Sequence, residues 1–153
     1  IKTVVFRPPL ICGERQKEMN VLREFVTFAL KGIPIVILGE GKHVREFVHP
    51  QDIARAYSAG ISYVTNMERT YDVFVLGNTP ISMKELAELV IKKIGRGSIE
   101  FRPATKQVFD QFTDHSKAKN ILGWIPNVGI DELVDCVIED IRPSLIIDEI
   151  SNV

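Results

Sequence analysis

One cation stands among apolar neighbours in the stretch Val44-Arg45-Glu46-Phe47-Val48. A guanidinium so placed can bond two oxygens at once, which makes Arg45 the leading candidate for holding an anion. The competing reading is a solvated strand-edge arginine, paired with Glu46 or with nothing. Other chemistry-bearing residues read as structural. Gly39-Glu40-Gly41 lets the backbone turn. It lacks a third glycine and opens no helix, so it is not a dinucleotide loop. Cys12 and Cys136 form no Cys-x-x-Cys and have no histidine at zinc-ligand spacing. They read as reduced thiols, Cys136 buried on a helix and Cys12 in a loop. His49 and His115 read as polar helix-start residues, and Asp52 as a helix cap. His43 is read as solvated, Trp124 as core packing, and Arg15-Gln16-Lys17-Glu18 as a solvated face. No residue is assigned a catalytic role and no metal site is expected.

These residues must be held by a recognisable set of elements. Thr3-Val4-Val5-Phe6 is a strand apolar throughout, as expected where both faces of a parallel sheet are covered, and Pro8 and Pro9 end it. Val21, Leu22, Phe25, Val26, Ala29 and Leu30 recur at helical spacing, predicting a helix over 19–31 that Gly32 stops. Ile35-Val36-Ile37-Leu38 reads as a buried strand between Pro34 and Gly39. A helix follows over 52–66, with Pro50 near its start. Tyr71 to Leu76 is a second apolar strand. Ser82 and Glu85 form a capping box for a helix reaching Ile94. Ile99-Glu100-Phe101-Arg102 is a short strand, and 104–113 a loop without period. Asp114 is expected to cap a helix over Ser116 to Leu122. The last helix presents Ile130, Leu133, Val134, Val137, Ile138 and Ile141 on one face, and Pro143 is expected to terminate it. Residues 144–153 receive no assignment.

The chain has 153 residues, enough for one domain with a sizeable core. Its net charge of −1 offers no general attraction to nucleic acid or anionic membranes. No apolar run approaches the roughly 20 residues that span a bilayer, and there is no signal-peptide pattern. Cysteine usage places the chain in the cytoplasm. The opening without Met, directly on a strand, reads as a fragment of a longer protein.

Strand, glycine turn, basic rim and helix start together resemble the C-terminal half of extended short-chain dehydrogenases. This is the NAD-dependent epimerase/dehydratase family, which includes the UDP-glucose 4-epimerases. The family pattern is Gly-x-Gly-x-x-x-Arg-x-Phe-Val-x-x-x-Asp-hydrophobic-Ala, matched by Gly39, Gly41, Arg45, Phe47, Val48, Asp52, Ile53 and Ala54. A more specific match joins Asp114, Ser116-Lys117-Ala118, Leu122-Gly123-Trp124 and Pro126. Arg7, Pro8 and Gly13 fit Arg-Pro-x-Asn-x-Tyr-Gly, with Leu10 at the Asn position and Cys12 at the Tyr.

The resemblance implies an α/β fold: the C-terminal portion of a Rossmann-type enzyme, covering 1–153 as a single substrate-binding domain or fragment. Residues 3–6 and 72–76 would be strands of the parent dinucleotide-binding sheet. A small α/β lobe would carry the pair 35–38 and 99–102. Members bind NAD or NADP through a Gly-x-x-Gly-x-x-Gly loop and use a Tyr-x-x-x-Lys pair, with the Tyr as acid/base. Neither motif is present: none of Tyr57, Tyr63 and Tyr71 has Lys four residues on. This chain alone is therefore expected to be inert and to bind no cofactor. Arg45 would meet the diphosphate of a sugar nucleotide. Leu10 stands where an Asn helps hold it, and Lys106 where a loop Arg does. Pro8 and Pro9 would border the cofactor. The expected partners are a nucleotide-sugar or similar small molecule, the N-terminal Rossmann half, and a second copy in a homo-oligomer. The alternatives are part of an NAD(P)-dependent reductase of a non-nucleotide carbonyl, favoured by Leu10 and the missing loop Arg, or a non-enzymatic module binding a metabolite or protein.

Overall fold

A computed structural model describes the backbone of residues 1–17, 19–105 and 107–151, with side chains up to Leu145. The elements in chain order are β1 (Thr3–Arg7), β2 (Leu10–Ile11), α1 (Val21–Lys31), β3 (Ile35–Leu38), β4 (Val44–Arg45) and β5 (Phe47–Val48). Then follow α2 (Pro50–Asn66), β6 (Tyr71–Val75), β7 (Ile81–Ser82), α3 (Met83–Ile94), β8 (Ile99–Arg102), α4 (Ser116–Leu122) and α5 (Ile130–Ser151). The strands pair two by two. β1 runs parallel to β6, β2 to β5 and β3 to β8, whereas β4 and β7 are antiparallel. The two pairs expected as parent-sheet strands and as the lobe pair are thus both formed, in register Thr3↔Tyr71 and Ile35↔Ile99.

Two apolar cores result. The larger joins α1, α3 and α5 through Leu22, Val26, Leu86, Val90, Leu133 and Val137, all fully buried, with Ile35 and Ile37 beneath them. Arg23 ties α1 to α5 by donating to Asp140 at 2.8 Å. The smaller core lies between the β1–β6 pair and helices α2 and α4, around Phe74, Leu76, Ala118 and Trp124. Residues 4, 6, 72 and 74 face α2 and α4 because strand side chains alternate. Gly60 of α2 lets the helix close on β1, since a Cβ there would stand 2.7 Å from Phe6 Cζ.

Local signals set most helix ends. Asn20 caps α1, accepting from the Arg23 N–H at 3.1 Å, and Gly32 closes it at φ 70°. The Ser82–Glu85 capping box is present at α3 in both directions. Three readings need correction. α2 begins at Pro50 and is capped by His49, whose Nδ1 accepts from the Gln51 N–H, so Asp52 is not the cap. α5 passes through Pro143 instead of ending there. Pro143 lies on the solvent side of the helix, with Glu139, Arg142, Pro143 and Ser144 exposed while Ile141 and Leu145 pack on the core. There, solvent can satisfy the carbonyl that proline leaves without a donor. Both cysteines are free thiols, but it is loop residue Cys12 that is fully buried, while Cys136 on α5 is half-buried.

Asp72 on β6 is buried and accepts from Tyr63 Oη at 2.7 Å, its neighbour's N–H at 2.8 Å and the Lys117 ammonium. Burial pushes its pKa up, but the bonds from Lys117, Tyr63 and Val73 outweigh that and bring it to about 2 from 3.8. A depressed folded-state pKa gives stability that is full above 3.8 and is lost as pH falls towards 2. The contribution is at most about 2 kcal/mol, and solvent screening of the 41% exposed Lys117 reduces it. Urea unfolding of the chain and of Asp72→Asn between pH 5 and pH 2 should show their stability gap shrinking with acid. A constant gap would mean that the carboxylate charge contributes nothing.

Candidate functional site

Arg45 ends β4, where the chain is about to enter β5 and the core. It is half-buried, and its Nη1 donates to the carbonyls of Val44 at 2.8 Å and Phe109 at 2.6 Å. Among the described residues no carboxylate pairs with it. The expected partner Glu46 points inward instead: it is 1% exposed and accepts from Thr113 Oγ at 2.6 Å. Beside this strand lies a cleft of about 200 Å³, walled by Val21 and Phe25 of α1, Val36 and Leu38 of β3, and by His43 and Val108. Burial pushes the His43 pKa down and the nearby Arg45 charge adds to the effect, while Asp110 opposes it. The cleft is apolar apart from Glu24 and His43, and the Arg45 guanidinium stands two residues on from His43, near enough for its charge to act on that ring. An apolar cleft beside a cation suits a ligand with a flat apolar part and an anionic part.

The other candidates are placed as follows. Leu10 in β2 pairs with Phe47 of β5, two residues on from Arg45. Its side chain packs on the α1–α3–α5 core. Pro8 is exposed and Pro9 buried, just past the carboxyl end of β1. Lys106 lies outside the described residues. The glycine turn leads into β4, and Gly41 is packed: a Cβ there would meet Ile37 Cγ2 at 3.0 Å and Lys84 Cβ at 3.1 Å. Glycine at 41 is thus required by the packing of the turn against β3 and α3.

Asp52 proves to be the main polar anchor of the neighbouring loop. It is fully buried, accepts from the N–H groups of Asn127 and Val128 at 3.1 Å, and pairs with Arg55. Its carbonyl accepts from Trp124 Nε1 at 2.8 Å, so Trp124 is core, as expected. No spacing announces this contact, because Asp52 and Asn127 are 75 residues apart. Glu14, His49 and Cys136 bring three ligand-type atoms within 4.8 Å of one another. The His49 Nδ1 accepts from the Gln51 N–H at 3.2 Å, so Nε2 carries the proton and donates to Glu14 at 2.9 Å. Glu14 and His49 thus form a hydrogen-bonded pair with Cys136 beside it, and the Nε2 lone pair is occupied by its proton. At α4, His115 occupies the cap position without a capping bond, and Asp114 accepts from the Ser116 N–H at 2.8 Å.

The model of the NAD dependent epimerase/dehydratase family matches residues 1–77. The chain belongs to the NAD-dependent epimerase/dehydratase family. Among similar epimerase/dehydratase members, UDP-glucuronate 4-epimerase of Thermodesulfobacterium geofontis is 31% identical over 75% of this chain and 35% of its own length. UDP-glucuronic acid decarboxylase 2 of Arabidopsis thaliana is 32% identical over 85% of this chain and 29% of its own. UDP-glucose 4-epimerase of Thermotoga maritima, solved with UDP-glucose, superposes with a TM-score of 0.79 at 29% identity, over 93% of this chain and 46% of that one. The chain thus spans about a third of the length of these curated relatives and just under half of the solved epimerase. The α/β arrangement here is the epimerase fold over that shared portion. Among the described residues no helix is long and apolar enough to cross a membrane.

Proposed function

We propose that residues 1–153 form one unit, the substrate-binding portion of an NAD(P)-dependent sugar-nucleotide epimerase or dehydratase. The observation that carries this is Arg45, held on the Phe109 carbonyl and without a carboxylate partner among the described residues. It stands close to an apolar cleft lined by His43 and Val108, chain neighbours of Arg45 and Phe109, in a chain similar to proteins named for UDP-sugars. The cleft takes the nucleoside, and Arg45 takes the diphosphate. A further part of the longer protein binds NAD or NADP, which supplies hydride removal and return at a sugar carbon. Pro8 and Pro9, at the carboxyl end of a parallel strand, border that cofactor, as ligands do in open α/β sheets. Lys106, where the family has a loop Arg, is assigned a secondary contact to the diphosphate. The two free thiols support a cytoplasmic location. A non-nucleotide carbonyl substrate is the second reading. It is favoured by Leu10, which gives a diphosphate no donor.

Titration calorimetry tests the assignment directly. UDP should bind this chain in the micromolar to millimolar range, whereas NAD, NADH and NADPH should give no heat of binding. Absence of UDP binding would remove the sugar-nucleotide reading, and micromolar binding of any dinucleotide would show that the cofactor site is here.

The β1–β6 pair supports an interface with the cofactor-binding half. Val5, Val73 and Val75, on the side away from α2, are only half-buried. Beside α2, Tyr57 and Ile61 are 58% and 67% exposed along a groove lined by Val4 and Phe6. Unpaired strand edges and apolar patches of this kind recruit another chain. Light scattering on the isolated chain should therefore show concentration-dependent self-association that disappears when the N-terminal half is added in trans. A monodisperse monomer at high concentration would mean that the pair needs no cover.

A further inference from the structure

Residues Val108 to Thr113 form no strand or helix of their own, yet they run pinned along residues 44–46. The Phe109 carbonyl accepts from Arg45 Nη1 at 2.6 Å. Asp110 Oδ1 accepts from the Val44 N–H at 3.0 Å. The Gln111 N–H donates to the Val44 carbonyl at 3.1 Å. Thr113 Oγ donates to Glu46 at 2.6 Å. Polar bonds are the main hold on the strap beyond Val108, since Phe109 and Phe112 are 70% and 69% exposed.

The consequence falls on Arg45. Its Nη1 has two hydrogens, and the carbonyls of Val44 and Phe109 take both. The Nε and Nη2 donors, which lie side by side on one edge of the guanidinium, have no protein acceptor among the described residues. That edge has the spacing for bidentate contact with phosphate oxygens. We propose that Asp110 is a positioning residue: by pinning the strap to β4 it holds the Phe109 carbonyl on Nη1 and so presents the Nε–Nη2 edge to an incoming pyrophosphate. The proposal rests on the reading of Arg45 as an anion clamp. Without the pin the long arginine side chain would sample several rotamers, and the ligand would have to supply the ordering.

Charge and positioning predict opposite signs here, and this makes the proposal testable. Asp110 is an anion near an anion site, so simple Coulomb reasoning has its removal tighten binding. Positioning has Asp110→Ala weaken binding, while Asp110→Asn, which keeps the Oδ1 acceptor and drops the charge, binds as well as the parent or better. Calorimetry with UDP on the chain and the two variants reads this out. Asp110→Ala should raise Kd about three- to tenfold, the size of one exposed hydrogen bond, and Asp110→Asn should not raise it. Amide exchange at Gln111 should quicken in the alanine variant alone. Unchanged or tighter UDP binding by Asp110→Ala, or equal weakening by both variants, would overturn the positioning role. If the unsubstituted chain takes up no UDP, the clamp reading of Arg45 falls, and this inference with it.

Discussion

Asp52→Ala should destabilise the chain by about 2–3 kcal/mol, chiefly from the buried Val128 N–H left without an acceptor at about 1–3 kcal/mol, with a smaller part from the exposed Asn127 N–H. The carboxylate is fully buried, and its bonds reach the Asn127 and Val128 N–H groups, of which the second is buried. Alanine would leave both donors without acceptors and a small void under the loop that seats Trp124. Arg55 is 41% exposed, so its lost partner can be replaced by water and adds little. Asp52→Asn is the milder variant: one oxygen still accepts, but the amide NH2 meets an N–H and cannot. Its loss should be intermediate. Urea unfolding followed by Trp124 fluorescence measures both, and the probe is local to the break. If alanine costs less than about 1 kcal/mol, the loop at 124–128 is held by apolar packing and the buried carboxylate is incidental.

Arg45→Ala should weaken UDP binding by about 1.5–3 kcal/mol, the range for a charge-assisted hydrogen bond, or roughly ten- to 150-fold. Arg45→Lys should recover only part, because an ammonium cannot offer two parallel donors in a fixed fork. The substitution also frees the Phe109 carbonyl, removing one of the four hydrogen bonds that hold the strap to residues 44–46. Melting measured in parallel separates the two effects. A small drop in melting temperature with a large loss of affinity marks a ligand contact. A large drop with proportionate loss marks a strap anchor. Unchanged affinity and unchanged melting would return Arg45 to a solvated strand edge.

Much of this was legible in the residues themselves. Local periodicity and capping chemistry act within a few residues, so α1, α3 and the β3 and β8 strands follow from Asn20 to Gly32, from Ser82 to Gly95, and from apolar runs between turn residues. The family match through Arg45, Asp52 and the Ser116-Lys117-Ala118 to Trp124 stretch was equally accessible, because those residues occur at fixed spacing. Pro143 shows the limit of a local rule: a proline ends a helix only where its missing hydrogen bond cannot be replaced, and on an exposed helix face it can be. Cys136 is less buried than its helix position suggests and Cys12 more so, since a loop residue can sit at the centre of a core that several elements build around it.

The sequence by itself determined the five helices and the four longer strands of the described residues, that a cation stands before Phe47 and Val48, and which family the pattern resembles. These depend on neighbours within a turn or two. Only the tertiary structure decided what each polar group bonds. Asp52 reaches a loop 75 residues away, Glu46 turns inward to Thr113, and Arg45 has its Nη1 filled by a carbonyl 64 residues on. A buried polar group must find a partner wherever the packed chain brings one, and that distance in sequence carries no periodic mark.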